Sequence, residues 1–296
     1  MNYYNEIKEN LLKSEIYDKI KDYSKDRNKV NVYYETGKLL SEAGKEYGKN
    51  IIKQYSDKLM KEVGKKYNER NLRYMRQFYE IFEKEFWNIA CSKLSWSHYR
   101  EVLSIKNINA IKYYLNECEN KILTIKQLKN IIKNKEYDRL SNETKNKLIK
   151  NEQLKVNDLI PNPIFIRTIK IKESITEYAL KQAILAKIDD FIFQLGKGFS
   201  YIGSEYKIKI GNVYNYIDLL MYNIKYKSYI VIELKVTELK KEHIGQIEIY
   251  MNYIDKNIKT IEEDKTIGII ICKKDNKFIM EYCSDKRILS KEYKII

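Results

Sequence analysis

Histidine, proline and tryptophan are nearly missing from this sequence, with two of each in 296 residues. The two histidines, His98 and His243, stand apart with no Ser or Cys partner placed to form a triad. Nucleophilic Ser–His or Cys–His catalysis therefore has no support, and each histidine reads as a surface or capping residue. The four cysteines (Cys91, Cys118, Cys272 and Cys283) are scattered, with no C-x-x-C pair and no histidine cluster beside them. A zinc site needs ligands at short paired spacings, so none is expected. Cys272 lies in an apolar run and reads as a reduced, buried thiol. Long apolar stretches are also lacking: TIGIIIC (266–272) is far too short to span a bilayer. The N-terminal MNYYNEIKENLLKSE has no apolar core of the signal-peptide kind. Together these absences predict a cytoplasmic protein without membrane attachment. The glycines of LGKGF (195–199) lack both a G-K-[ST] ending and a preceding strand, so they form no phosphate-cradling loop.

Acidic residues are outnumbered, 41 against 56 Lys+Arg, leaving a formal charge of +15. That surplus points to a polyanionic partner, although a lysine-rich surface is also the ordinary product of a biased composition. The hydrophobic fraction of 44% suffices for real cores, and the length exceeds the usual single domain, which favours two.

Residues 1–140 read as helical. Apolar residues recur at helical intervals from Val30 to Val63 (Val32, Leu39, Leu40, Ile51, Ile52, Leu59). Asn68-Glu69-Arg70 opens the segment NLRYMRQFYEIF (71–82); Leu72, Met75, Phe78, Tyr79 and Phe82 share one arc, and Arg70, Arg73, Arg76 and Gln77 the other. Three arginines on one arc suit phosphate contacts, which makes Arg70, Arg73 and Arg76 the candidate nucleic-acid face outside the catalytic region. Ser95 or Ser97 caps a helix carrying Trp96, Tyr99 and Leu103, and another runs through TIKQLKNIIKNKEYDRL. From 141 to 172 the periodicity weakens, and Pro161, Pro163 and the polar run SNETKNK mark a linker. The domain from 173 to 296 starts with a capping box, Ser174 to Glu177, and a helix to about Leu195 that Gly196 and Gly198 stop. Strand-like runs follow: FSYIGSEYKIKI, VYNYIDLLMYNI, SYIVIELKV, TIGIIIC and KFIMEYC, with the helical KKEHIGQIEIYMNYID between the third and fourth. The predicted architecture is an all-helical domain followed by a mixed α/β domain.

The chemistry concentrates in SYIVIELKV (228–236). Ile230, Ile232, Leu234 and Val236 alternate onto one face, while Val231, Glu233 and Lys235 share the other. Two full charges inside an apolar strand are costly to bury without partners. The tripeptide E-L-K is common and by itself reads as an ion pair. Asp218, however, sits in the preceding apolar run YNYIDLLMY, and a turn around Lys225–Lys227 folds the two runs into a hairpin that places it beside Glu233 and Lys235. Converging carboxylates are the hard-oxygen ligands that Mg²⁺ or Mn²⁺ takes, and such an ion activates water and neutralises charge on a scissile phosphate. A nearby lysine orients or deprotonates the attacking water. Gln246, near the start of the next helix, is placed to hold a water or a phosphate oxygen.

Beyond these residues, the chain resembles the YhcG-like family of PD-(D/E)XK nucleases. The resemblance rests on F-x-x-x-L-G-K-G-F-x-x-I-G (191–203), I-D-L-L-M-Y (217–222), I-E-L-K (232–235), G-Q-I-E-I-Y (245–250) and I-G-I-I-I-C (267–272). It extends to the helical half through R-N-L-R-Y-M-R-Q-F-Y (70–79) and L-S-W-S-H-Y-R (94–100). It implies a restriction-endonuclease-like mixed sheet flanked by helices, with a metal on Asp218 and Glu233, catalysis by these two with Lys235, and support from Gln246. The helical domain is implied to bind nucleic acid or mediate assembly. Two departures stand out. The family's pattern L-E-x-A-L in the first core helix reads L-K-Q-A-I here, so Lys181 takes the acidic position. Ser204-Glu205 stands where the family tends to carry Arg-Gln. Glu177 and Glu205 are the candidate substitutes for the missing acid.

The expected function is a Mg²⁺- or Mn²⁺-dependent endonuclease acting on DNA, in defence, repair or recombination, with RNA as another substrate class. The alternative is a nuclease fold with a decayed site that binds nucleic acid or serves assembly. Homo-oligomer formation is left open.

Overall fold

A computed structural model describes residues 3–19, 25–48, 50–83, 94–167 and 175–296. Cys91 and Ser174 lie outside the described residues. The chain divides into two compact units, Met1–Asp138 and Arg139–Ile296.

The first unit is helical throughout its described residues. It holds α1 (Tyr3–Lys19), α2 (Lys25–Tyr47), α3 (Ile51–Glu62), α4 (Glu69–Phe82), α5 (Trp96–Val102), α6 (Ile108–Lys121) and α7 (Ile125–Lys133). The Asn68 side chain accepts the Asn71 amide, 3.1 Å away, and starts α4. Ser95, rather than Ser97, starts α5, and His98 closes that cap by accepting the Ser95 amide at 3.3 Å. Of the expected apolar arc of α4, Leu72, Met75, Phe78 and Phe82 are buried and Tyr79 is half-buried. Phe78 lies within 6.0 Å, centroid to centroid, of Tyr34, Phe82, Trp96 and Tyr99 in edge-on or tilted arrangements. Helices α2 and α4 approach so closely that a Cβ on Gly37 would stand 2.1 Å from the Met75 carbonyl oxygen.

The second unit holds α8 (Asn142–Ile149), α9 (Val156–Leu159), β1 (Ile164–Ile166), α10 (Glu177–Leu185), α11 (Ile188–Leu195), β2 (Phe199–Ile210), β3 (Val213–Asn223), β4 (Ser228–Glu238), α12 (Lys241–Asn257), β5 (Ile267–Lys274), α13 (Lys277–Glu281) and β6 (Ile288–Ile295). The strands form a mixed sheet in the order β1-β6-β5-β4-β3-β2. β2–β3–β4 is an antiparallel meander, while β4, β5, β6 and β1 run parallel to one another. Apolar layers cover both faces. One gathers Leu180, Ile184, Phe191, Leu219, Ile230, Ile232, Leu234 and Ile269. The other gathers Ile208, Ile217, Leu220, Val231, Ile247, Met251 and Ile270. Each fully buried aliphatic side chain contributes about 1.5–3 kcal/mol. β4, buried on both faces from Ile230 to Lys235, therefore reads from Tyr229 to Val236 as an apolar run interrupted by Glu233 and Lys235.

Three features differ from the sequence-based expectation. The stretch 141–172 is not a bare linker: its described part carries α8, α9 and the edge strand β1. Ile164 and Ile166 enter the core, and the buried Lys291 of β6 donates to the carbonyls of Asn157 and Ile160 at 3.3 and 2.8 Å. Burial pushes that lysine's pKa down to about 8. Second, the helix expected from the capping box begins at Glu177 with Thr176 as its cap, accepting the Ala179 amide. It also breaks at Lys187 before α11, which Gly196 ends at φ 110°. Third, KFIMEYC is not a strand. Asn276 caps it into α13, where Phe278 and Tyr282 stay exposed, and the last strand is formed instead by ILSKEYKI.

Candidate active site

The site forms where β3 and β4 lie side by side under the start of α10. Leu219 pairs with Ile232, which sets Asp218 next to Glu233 across the ladder. Asp218 Oδ2 accepts the Leu234 amide at 3.0 Å, so the backbone of β4 itself orients this carboxylate. Glu233 is 2% exposed, and its Oε2 lies 3.5 Å from Lys235 Nζ. Its Oε1 is buried and receives no hydrogen bond from the described residues. Burial, then the neighbouring Asp218 charge, pushes the Glu233 pKa up to about 8.

Helix α10 adds two charged side chains. Glu177 stands in its first turn with Oε2 3.7 Å from Lys235 Nζ. Lys181, one turn on, places Nζ 3.2 Å from Asp218 Oδ1 and in direct contact with Glu205 Oε1. Glu205 reaches that point from a residue of β2 with φ 50°, a left-handed conformation at an irregular point of the strand. Burial weakens the Lys181 ammonium, but the hydrogen bond to Glu205 and the Asp218 charge outweigh it and hold its pKa above the ordinary value. The structure thus brings Asp218, Glu233, Lys235, Glu177 and Glu205 into one cluster. Glu177 does not cap α10 as an N3 residue; it faces the site from the first helical position.

Gln246 is not joined to the cluster by a hydrogen bond. Its Nε2 donates to Tyr250 Oη at 3.2 Å, one turn along α12. His243 instead lies electrostatically close. It caps α12 by accepting the Lys240 amide at 3.1 Å, and burial followed by the Lys235 charge lowers its pKa. The sequence left His243 as a surface or capping residue and gave no sign of its proximity to Lys235, which follows only from how α12 leaves β4.

Among the described residues no group of three or more His, Cys, Asp or Glu side chains has the geometry of a metal cage. Two carboxylates nevertheless fit a hard divalent cation whose remaining ligands are water and phosphate oxygens. The unpartnered Glu233 Oε1 is the observation in favour, since a buried carboxylate oxygen left without a donor costs free energy that a cation would offset.

In the first unit, Arg70 and Arg73 line an open cleft of about 600 Å³ between α3 and α4, together with Lys53, Tyr74 and Asp57. Arg70 Nε donates to Tyr74 Oη at 3.2 Å, and Arg73 pairs with Glu69. Arg76 turns away from this cleft: it pairs with Glu80 at 3.3 Å and packs beside Gly44 of α2.

A mixed sheet bearing Asp on one strand and Glu-x-Lys on the next, flanked by helices, defines the restriction-endonuclease-like PD-(D/E)XK class. Residues 157–296 match the family model of the YhcG PDDEXK nuclease domain, and residues 13–139 match that of the DUF1016 N-terminal domain. The chain belongs to the YhcG-like family of PD-(D/E)XK nuclease-domain proteins, and its C-terminal unit is a nuclease domain. A curated relative, "Putative nuclease YhcG" of Escherichia coli (strain K12), is 23% identical over 308 residues, covering 89% of this chain and 82% of that protein. Two solved structures are similar over part of the chain. A repair endonuclease from Pyrococcus abyssi has a TM-score of 0.29 at 13% identity and covers 42% of this chain and 49% of its own. The EndoMS–dsDNA2 complex has a TM-score of 0.27 at 16% identity and covers 44% and 48%. The chain spans about half the length of each solved structure it matches. No helix among the described residues is long and apolar enough to cross a membrane.

Proposed function

We propose that this protein is a divalent-metal-dependent endonuclease that hydrolyses phosphodiester bonds in DNA at Asp218, Glu233 and Lys235. The observation that carries the reading is the buried Glu233 carboxylate, with one oxygen unpartnered, beside the backbone-oriented Asp218. These two residues would hold a Mg²⁺ or Mn²⁺ ion, which when bound supplies Lewis-acid stabilisation of the charge on the scissile phosphate. The Leu234 amide keeps Asp218 from rotating away, and burial in β4 keeps Glu233 rigid. Lys235 Nζ, held between Glu233 and Glu177, orients the attacking water and offsets the negative charge that grows during attack. Gln246 supports the site only after its amide leaves Tyr250. Arg70 and Arg73, on the rim of the α3/α4 cleft, contribute phosphate contacts, and Arg76 does so after giving up Glu80.

The test is cleavage of duplex, single-stranded and branched DNA, and of RNA, by wild type and Asp218→Ala with Mg²⁺, Mn²⁺ or a chelator. Wild type is expected to cut DNA with a divalent ion only, and Asp218→Ala to lose at least about 100-fold. Cleavage of RNA alone would reassign the substrate. A panel left intact by pure wild type under all metals would sink the reading. One observation favours a second reading, a nuclease fold that binds nucleic acid without cutting it: the Lys181 ammonium already touches Asp218, where it competes with a divalent ion. Retention of full binding with no turnover is its signature.

A further inference from the structure

The outer half of the β2–β3 hairpin is longer than the site requires. β3 pairs with β4 only over Leu219–Asn223, so beyond Asp218 the hairpin continues as a two-stranded ribbon, Tyr206–Ile210 against Val213–Ile217. Its two faces differ in kind. Ile208 and Ile217 are buried in the apolar layer that contains α12, with Tyr206 and Ile210 packed against it, and Tyr253 Oη of α12 accepts the Lys209 amide at 3.5 Å. Strand alternation turns Lys207, Lys209, Tyr214 and Tyr216 to the opposite face. At the inner end of the ribbon Glu205 and Asp218 meet Lys181 of α10.

On this face Lys207 is paired with Tyr216 and Lys209 with Tyr214. Tyr214 is 52% exposed and Tyr216 is 49% exposed, while on the other face of the same stretch Ile217 is buried and Val213, at the tip, is exposed. Lys207 Nζ stands 3.8 Å from the Tyr214 ring centroid and Lys209 Nζ 5.8 Å. Residues 206–217 contain two lysines and no acidic residue. About half of each ring stays open to solvent, and two lysines with no carboxylate in the ribbon leave it positively charged. Tyr214, Tyr216 and Asp218 lie on alternate positions of one strand, so at about 3.4 Å per residue the rings stand roughly 7 and 14 Å along β3 from the carboxylate.

We propose that this face of the ribbon is a track for an unpaired nucleic-acid strand, whose bases stack on Tyr214 and Tyr216, whose phosphates lie against Lys207 and Lys209, and which it leads to Asp218. The proposal rests on the nuclease reading above and adds to it the part of the substrate that is gripped and the strand state that is preferred. Stacking on a ring tolerates any base, because every base has a π-face, so the track grips without reading sequence. The ribbon is held to α12 along its other face, which fixes the rings relative to Asp218 as a mobile loop would not.

The test is fluorescence anisotropy of labelled single-stranded DNA and RNA of about 16 nucleotides. It is read with the full chain in EDTA, so that cleavage does not intrude. Wild type, Tyr214→Ala/Tyr216→Ala, Tyr214→Phe/Tyr216→Phe, Lys207→Gln/Lys209→Gln and Arg70→Gln/Arg73→Gln are compared. The alanine pair is expected to weaken binding tenfold or more, because each truncated ring loses a stacked base, and the phenylalanine pair to restore it. The glutamine pair at 207 and 209 is expected to flatten the slope of log K against log[salt] by about 1.4, from about 0.7 per phosphate contact on a single strand. All four ribbon side chains are exposed, and unchanged far-UV circular dichroism is the folding control. If wild type binds and the ribbon variants bind with the same affinity and salt slope, the track is wrong and the nuclease reading stands. If wild type binds neither oligonucleotide and cuts nothing in the metal panel, both fall. The preference between DNA and RNA in wild type assigns the strand.

Discussion

At the scale of single residues, Asp218 is the one carboxylate that Lys181 and the proposed divalent ion would share. Lys181 Nζ lies 3.2 Å from Asp218 Oδ1, and its pKa is held above the ordinary value by Glu205 and Asp218. Two unit charges about 4 Å apart interact by about 4 kcal/mol at an effective dielectric constant of 20. A divalent ion at that distance from the ammonium would meet about twice that repulsion, about 8 kcal/mol, reduced by the water that reaches the half-buried carboxylate. Lys181→Gln is therefore expected to raise Mn²⁺ affinity tenfold or more, measured by isothermal titration calorimetry without substrate. Equal affinities in the variant and wild type would mean that the ammonium and the ion use different lone pairs of Asp218. The sequence exposed this position as a lysine in place of an acid in L-K-Q-A-I. That the lysine is a partner to two carboxylates, and not simply a lost ligand, depended on Glu205 bending into reach at φ 50°. No periodicity rule anticipates a left-handed glutamate inside a strand.

At the scale of elements, close approach decides more than propensity. The α2–α4 contact leaves no room for a side chain at Gly37, where a Cβ would meet the Met75 carbonyl oxygen at 2.1 Å. Gly37→Ala gains helix propensity of roughly 1 kcal/mol in α2, yet must push the two helices apart. The expected net effect is destabilisation by about 1–3 kcal/mol, read as a lower denaturation midpoint in urea, and a neutral or stabilising result would show that α2 and α4 slide freely. Elements with long, regular patterns were legible: α4 from its apolar arc, β4 from its alternation, α12 from its helical run. Short elements were not. KFIMEYC has the composition of a strand but becomes α13, because Asn276 caps it and the partner that a strand would need, β5, is already paired with β4 and β6. β1 has only three residues, too few for any period to register, and is a strand because β6 offers it an edge.

At the scale of the whole molecule, the position of the boundary determines what can fold. The sequence suggested a nuclease domain beginning at 173, whereas the compact unit begins at Arg139. A fragment starting at 173 lacks Ile164 and Ile166 from the core and leaves Lys291 without the carbonyls of Asn157 and Ile160. It also exposes the edge of β6, an invitation to aggregation. A fragment of residues 139–296 is expected to melt cooperatively with near-UV dichroism, while residues 173–296 lose that signal or precipitate. Equal cooperativity in the two would show β1, α8 and α9 to be dispensable. By itself the sequence determined which residues carry charge inside apolar runs, and therefore that Asp218, Glu233 and Lys235 belong together. The period of a strand and the reach of a hairpin are local properties, and they suffice for that pairing. Only the tertiary structure decided that Glu177, Lys181 and Glu205 join them and that Gln246 forms no hydrogen bond to them. Those relations depend on how distant segments cross one another, and they are set by burial on both faces of the sheet rather than by any pattern along the chain.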